Sequence, residues 1–457
     1  LTLASDLSPI FHFENIGLHP KLLQALKAYG YVSPTEIQRL AIPEIIKGKD
    51  LMASAQTGAG KTLAFILPAL QQLLNVPSKT TGPGPRVLIL TPTRELSQQI
   101  TNAIAKINKF THFKFGTITG GVGYPAQEQL LRKPLDILVA TPGRLMDHMN
   151  HNRVNFSHIT LFILDEADRM LDMGFIKDIE HIAKALPLKY QTLLFSATLE
   201  GSVRNISRHF LQNPVQIQLT AVAKPHALIS QRVYLANNLN HKCTLLNRVL
   251  EEPSVWQAIV FTGTKRTADE LAENLKAQGI ECAALHGDMK QSKRTRTLER
   301  MHRGQLRVLV ATDVAARGLD VKKLSHVINF DLPRSAEDYI HRIGRTGRCG
   351  EKGVAISLVG PKESGLLTQI ERLTGQKLVR HTIAGLEPKS VPPSLQPKTK
   401  IRTNKSGFPK NKKSHPSSTQ RTSSSQHTSN HKSNNKPFTS KGNRKHGRHT
   451  STTPCFS

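Results

Sequence analysis

The chain has 457 residues, of which 38% are hydrophobic, enough for two core-bearing domains and an appendage. Its formal net charge of +30 and pI of about 10.2 point to a polyanionic partner. No apolar run is long enough to span a bilayer and neither end carries an amphipathic anchor, which argues against a membrane protein. Cys243, Cys282, Cys349 and Cys455 form no C-x-x-C pair, so neither a zinc site nor a disulfide framework is suggested, and a reducing, cytoplasmic setting is the simple reading. The first residues show no charged n-region followed by an apolar h-region.

Past an N-terminal extension at 1–12, short apolar runs alternate with helical patterns. The runs fall at 51–53, 87–90, 137–140, 161–164 and 192–195, and again at 258–261, 282–285, 308–311, 326–330 and 354–358. They are too short for helices and rich in Val, Ile and Leu, as fully buried parallel strands are. The fold class is therefore α/β, with two tandem lobes built on parallel sheets. The first lobe is expected over 13–217, a linker over 218–230 near Pro214 and Pro225, and the second lobe over 231–380. The rest, 381–457, reads as a disordered basic tail. From 388 to 457 it carries fifteen Lys and Arg and no Asp or Glu, half of the net charge. It cannot bury enough apolar surface to offset its ordering entropy. It is either a solubilising appendage or an electrostatic tether for RNA phosphates, and the absence of balancing acids favours the tether.

Residues 55–62 read AQTGAGKT between a short strand and a helical stretch. Gly58 and Gly60 let the backbone curl so that amides face a phosphate, with Gln56, Thr57 and Ala59 completing the loop. The helix start adds its positive end. Lys61 can reach β- and γ-phosphates, and the Thr62 hydroxyl can ligate Mg2+. Ala55 stands where such loops usually have their first glycine. LFILDEAD at 161–168 supplies the carboxylates that such a site needs. Asp165 can hold Mg2+, and Glu166 can orient or deprotonate an attacking water. The second half of the chain has no G-K-[ST] loop. It does have HRIGRTGR at 341–348, in which a helical first turn would put His341 and Arg345 on one face, with Arg348 beyond a glycine turn. These arginines either reach a transferring phosphoryl across the cleft or form a basic patch for RNA phosphates.

Taken together, these motifs, in this order over 13–359, resemble the DEAD-box RNA helicases, whose two lobes are RecA-like. Within that family the compact core is most similar to bacterial RhlE-like members, with ribosomal or messenger RNA and ribosome or RNA-decay assemblies as candidate partners. The resemblance assigns GYVSPTEIQ at 30–38 to adenine recognition, with Gln38 bonding the adenine edge and Phe13 stacking near the base. Tyr31 stands where Phe is commoner. By the same pattern SAT at 196–198 couples nucleotide to lobe closure, Ser196 and Thr198 bonding Asp168 and His341. RNA would be held by Pro92, Thr93, Arg94, Gly120, Gly121, Thr141, Pro142, Gly143 and Arg144 in the first lobe. In the second lobe, Thr264, Arg294, Thr312 and Asp313 join them, with Gln291 beside Arg294. Gly318 and Asp320 would meet the ATP ribose. Backbone amides, Thr hydroxyls and Arg suit phosphates and sugars, so binding independent of sequence follows. Arg94, Arg144 and Arg294 can each also be read as surface arginines. Ala59 and Gly263 fall at variable positions of their motifs. Asp168, and a core without a large insertion, argue against the related DEAH-type enzymes. The implied activity is RNA-stimulated hydrolysis of ATP, with Mg2+, that unwinds short duplexes or remodels RNA–protein complexes. An ATP-gated clamp without productive unwinding is the alternative.

Overall fold

The computed structural model describes residues 11–55, 58–76, 84–199, 201–219, 229–316, 324–347 and 352–389. In the first half, seven strands form one all-parallel sheet: β1 (Leu51–Ser54), β2 (Val87–Leu90), β3 (Phe115–Ile118), β4 (Ile137–Ala140), β5 (Leu161–Asp165), β6 (Gln191–Ser196) and β7 (Val215–Gln218), in the order β3-β4-β2-β5-β6-β1-β7. The second half repeats the plan with β8 (Ile229–Leu235), β9 (Ala258–Thr262), β10 (Cys282–Leu285), β11 (Val308–Thr312), β12 (His326–Asn329), β13 (Gly353–Val359) and β14 (Val379–His381), ordered β10-β11-β9-β12-β13-β8-β14. Both halves lie in one compact unit of the chain.

The short apolar runs form these strands because each sheet is covered on both faces. In β2, Val87 and Ile89 enter one core and Leu88 and Leu90 the other. Ile137 and Val139 against Leu138 and Ala140 in β4, and Leu161 and Ile163 against Phe162 and Leu164 in β5, divide the same way. The second sheet follows suit, with Ala258 and Val260 of β9 on one side and Ile259 and Phe261 on the other. Period two with both faces apolar is the signature of a buried parallel strand.

All ten runs are strands. Four further strands, β3, β7, β8 and β14, carry polar residues that hid them. Three are edge strands, and β7 (VQIQ) exposes both glutamines. β8 (ISQRVYL) begins at Ile229, inside the stretch read as linker, and exposes Ser230. Packing also runs past 380: Ile383 and Leu386 lie against the second core, and the Lys389 amide donates to Asn237 Oδ1 at 2.9 Å. The remainder of the proposed tail lies outside the described residues.

Because every strand runs the same way, the loops after β1, β2, β4, β5 and β6 leave one edge of the first sheet, where open α/β folds bind ligands. The strand order decides which loops meet. β6 lies between β1 and β5, so residue 196 falls between the glycine loop and the acidic box.

Candidate active site at the lobe interface

The glycine loop is held from outside itself. Gly58 and Gly60 both have φ of 90°, in the left-handed region open to glycine. Gly60 caps the helix Lys61–Asn75, which is buried along most of its length. A Cβ on Gly60 would come within 2.5 Å of Gln38 Nε2 and 2.8 Å of Thr35 Oγ1. That close approach lets Gln38 Nε2 donate to the Gly60 carbonyl at 2.9 Å, while Gln38 Oε1 accepts from the Thr35 amide at 3.0 Å. Gln38 is therefore a clamp on the glycine loop. Its second N–H and second acceptor lone pair remain for a base. Phe13 differs from expectation. It is only 2% exposed and sits in the first-lobe core, because a ring in a short 3-10 helix over apolar neighbours gains more by burial than by facing a ligand.

Lys61 is buried, and its Nζ donates to the Ala55 carbonyl at 2.7 Å and the Ser196 carbonyl at 3.4 Å. Asp165 ends β5 fully enclosed, and its Oδ1 accepts from the Glu166 amide at 3.0 Å. Burial pushes the Asp165 carboxyl up to about 7; Glu166 adds to the rise and Lys61 opposes it. Such a carboxylate suits a cation that would restore its charge. Among the described residues no group of three or more His, Cys, Asp and Glu converges on a metal position. A metal here would take its other oxygens from Thr62, phosphates and water, as Mg2+ does.

Glu166 has φ 54° and ψ 50°, left-handed for a residue with a side chain. Such backbone costs about 1–3 kcal/mol and persists where the surroundings enforce it, often at functional sites. Its carboxylate lies 3.2 Å from Arg169 Nη1, close in charge but off the hydrogen-bond direction.

The SAT segment links loop to box, but through its backbone. Ser54 Oγ donates to the Ala197 carbonyl at 2.9 Å, and the Ala197 amide donates to Asp168 Oδ2 at 3.1 Å. The expected hydroxyl contacts are not made: Ser196 Oγ accepts from the Thr198 amide at 3.4 Å, and Thr198 is exposed. Main-chain groups leaving adjacent parallel strands point at one another whatever side chains they carry, so the motif letters could not show this.

The helix Ala336–Ile343 of the second lobe carries His341, which lies within electrostatic reach of Arg169 and Glu166. Burial pushes His341 down to about 3; Arg169 and Arg345 push it the same way, against Glu166. The ring is therefore neutral at pH 7. Arg345 is buried, and its Nε donates to the His341 carbonyl at 3.2 Å. Gln56, Thr57, Gly318, Asp320 and Arg348 lie outside the described residues.

Beside this lies the surface expected to face RNA. Pro92 and Thr93 are buried where the helix Arg94–Asn108 begins, and Thr93 Oγ1 caps it by accepting from the Leu96 amide at 3.3 Å. Arg94 packs over Gly120 and Gly121, where a Cβ on either would meet its guanidinium. Thr141 and Pro142 start the helix Pro142–Asn150 with Gly143 exposed. Arg144 stacks over Tyr124 at 4.3 Å and donates to the Val122 carbonyl at 2.8 Å. Thr264 is exposed at the start of Lys265–Ala277, and Thr312 is half-buried at the end of β11.

Two expected RNA contacts are occupied otherwise. Arg294 is buried against Glu95 of the first lobe, Nη2 to Oε1 at 2.7 Å and Nε at 3.0 Å, while Arg94 Nη1 donates to Gln291 Oε1 at 3.2 Å. Asp313 takes both arms of Arg342 at 2.6 and 2.7 Å. A buried guanidinium needs a carboxylate, and Asp313 supplies it. Sequence reasoning passed over Glu95 and Arg342. Arg342 lies three residues after buried Tyr339 and one before buried Ile343; that inward helical position was the available signal.

Fold and site together define a two-lobed P-loop nucleoside triphosphatase. A family model described as DEAD/DEAH box helicase matches residues 35–206, and one described as helicase conserved C-terminal domain matches 241–350. The chain is 45% identical over 383 residues to the ATP-dependent RNA helicase SrmB of Escherichia coli (strain K12), covering 84% of this chain and 86% of that one. It is 43% identical over 370 residues to the DEAD-box ATP-dependent RNA helicase CshA of Bacillus anthracis, covering 80% and 69%. Among solved structures, S. cerevisiae Dbp5 bound to RNA and ADP BeF3 has a TM-score of 0.72 at 32% identity, covering 81% of this chain and 95% of that one. Mss116p bound to ssRNA and AMP-PNP has a TM-score of 0.73 at 28% identity, covering 83% and 81%. The chain belongs to the DEAD-box family of ATP-dependent RNA helicases, and its two lobes are RecA-like. ATP is its fuel, and the relatives favour remodelling of RNA over a passive clamp. No helix among the described residues is long and apolar enough to cross a membrane.

Proposed function

We propose that this chain separates short RNA duplexes, or strips protein from RNA, by opening and closing the interface described above. The observation that carries the reading is the joining of the two lobes, where Arg294 pairs with Glu95 and Arg94 donates to Gln291, with His341 near enough to the acidic box to feel the charges of Arg169 and Glu166. Gln38 reads the adenine edge while holding the loop. Amides from 56 to 62 and Lys61 cradle the phosphates. Glu166 orients the attacking water, and Arg345 and Arg348 stabilise charge on the departing phosphoryl. Thr62 and Asp165 would hold Mg2+, which supplies positive charge at the phosphate oxygens. Gly318 and Asp320 meet the ribose.

Single-stranded RNA lies along Pro92–Arg94, Gly120–Gly121, Thr141–Arg144, Thr264 and Thr312, bound through phosphates and sugars. ATP and RNA each favour the joined lobes, so each strengthens the other's binding. Hydrolysis removes that bias and the lobes part. The Ala197 backbone, touching both Ser54 and Asp168, supports its role as the link between nucleotide and closure. The tail keeps RNA near between cycles. RNA in ribosome or decay assemblies is the substrate class, in a cytoplasmic setting.

Glu166→Gln tests the chemistry. ATP and RNA binding should persist while turnover falls by at least about 100-fold, as loss of a general base does. Steady-state hydrolysis equal to that of the parent would remove the role assigned to Glu166.

A further inference from the structure

The second sheet ends on β10, which pairs with β11 alone. Among the described residues no strand covers its outer edge. The helix Lys265–Ala277 lies over one face of this edge, where the Cys282 thiol donates to the Ala272 carbonyl at 3.1 Å. The helix Gln291–His302 lies over the other, near Met289 and Ala283. Between them runs a groove of about 420 Å³. Its floor is β10, where Ala283 and Ala284 are small and half-buried, so outward backbone N–H and C=O groups are not shielded by bulky side chains. An open edge of this kind is a template for another strand.

The groove wall formed by Gln291–His302 is basic. Lys293, Arg296 and Arg300 follow one another at three and four residues along one face of their helix, and Lys276 stands on the opposite wall. Among the described residues no carboxylate lies within ion-pair distance of Lys276, Lys293 or Arg296, and Arg300 has Glu281 only at 3.6 Å. Two acids stand with Lys276 on that opposite wall: Asp269, which pairs with His286 Nε2 at 3.0 Å, and exposed Glu273, so the added strand's carboxylates would face the Gln291–His302 wall. Arg294 on the same helix turns inward to Glu95. One side of this helix thus serves the lobe interface, and the other presents cations to the groove.

We propose that the groove receives an extended acidic segment of a partner protein, which adds as an eighth strand beside β10. Strand addition supplies backbone hydrogen bonds for affinity and uses alternate side chains for specificity. Side chains two apart on an added strand lie about 6.6–6.8 Å apart. Helix positions four apart rise about 6 Å. Glu or Asp at every second position would therefore face the row of Lys293, Arg296 and Arg300. RNA would match the charge but lacks the alternating N–H and C=O groups of a peptide that pair with a strand edge. The chain's own segment at 388–457 has no acidic residue and would be repelled.

The test uses the full chain and a fluorescein-labelled peptide, Gly-Glu-Val-Glu-Val-Glu-Gly, with a control in which both valines are proline. Peptide should slow amide hydrogen exchange across 282–285, and the proline control should not. Lys293→Glu with Arg296→Glu should weaken peptide binding about tenfold, as two reversed charge pairs would, with RNA-stimulated ATPase unchanged. Ala284→Glu, a single change on the floor, should weaken binding independently. Peptide bound with 282–285 unprotected would mean charge capture elsewhere on this basic chain and would overturn the proposal. So would a 12-nucleotide oligo(U) that protects 282–285 where the peptide does not, which would mark the face as an RNA surface.

Discussion

Gly60 shows how much one position can carry. Its left-handed φ and the 2.5 Å approach of Gln38 to its would-be Cβ mean that alanine would strain the loop and push the glutamine off the Gly60 carbonyl. Gly60→Ala should weaken ATP affinity about tenfold, a loss of roughly 1.4 kcal/mol. RNA binding without nucleotide should be unaffected. Isothermal titration with both ligands checks this, and equal ATP affinity in the two proteins would refute the clamp. Residue types at the site were legible in the sequence because phosphate chemistry narrows the choice to glycine, lysine, hydroxyl and carboxylate. Partners were not legible. Nothing in the residues around Asp313 says that it answers Arg342, and nothing in Phe13 says that its ring is covered. Those facts depend on elements that meet only in three dimensions.

Pairings between elements carry the second lobe. Arg342 is 2% exposed and also donates to Asn329 Oδ1 at 3.0 Å and the Asp331 carbonyl at 2.6 Å. It therefore ties the helix Ala336–Ile343 to the ends of β11 and β12. Asp313→Ala would leave a buried guanidinium without its counter-charge and should cost about 3–5 kcal/mol. Asp313→Asn, which keeps an acceptor, should cost less. Urea unfolding followed by circular dichroism would measure both; a loss under about 1 kcal/mol for alanine would show that the pair is not structural. At this scale too, reading the sequence succeeded where the strand's letters are unbroken apolar, edge strand β10 included, and failed where polar residues interrupt them. Central strands announce themselves through unbroken apolar runs. β7, β8 and β14 spend part of their length facing water or a polar neighbour, and their letters resemble those of loops.

Across the whole molecule, acid should destabilise the second lobe through its buried histidines, His341 and His326, of which His326 lies away from the candidate site. Burial, and then Arg232, push this histidine down to about 4 from 6.5. The unfolded chain takes up the proton first, so the stability is present above pH 6.5 and is lost as pH falls toward 4. One such group gives a slope of up to about 1.4 kcal/mol per pH unit. Asp165 acts oppositely: its folded value is raised to about 7 from 3.8, so its contribution is present below 3.8 and lost as pH rises through 7. His326→Leu should therefore flatten the acid limb of a melting-temperature profile between pH 4 and 6.5. An unchanged slope would show that His326 contributes nothing to the acid limb. Removing 388–457 should weaken RNA binding chiefly at low salt, each lost phosphate contact flattening the log–log salt slope by about 0.7. Identical slopes for the full and shortened chains would assign the RNA affinity to the core alone.

The order of strands also governs how the chain takes shape as it is made. β1 pairs only with β6 and β7, and β8 only with β13 and β14. The opening strand of each lobe must wait, unpaired, while well over a hundred residues are synthesised before its neighbours exist. Long-range parallel pairing of this kind is slow and leaves apolar edges uncovered in the meantime. A nascent chain halted before 379 would leave β8 with one side open. The final dozen residues described, 378–389, are therefore as much a completion signal for the second lobe as a route out of it.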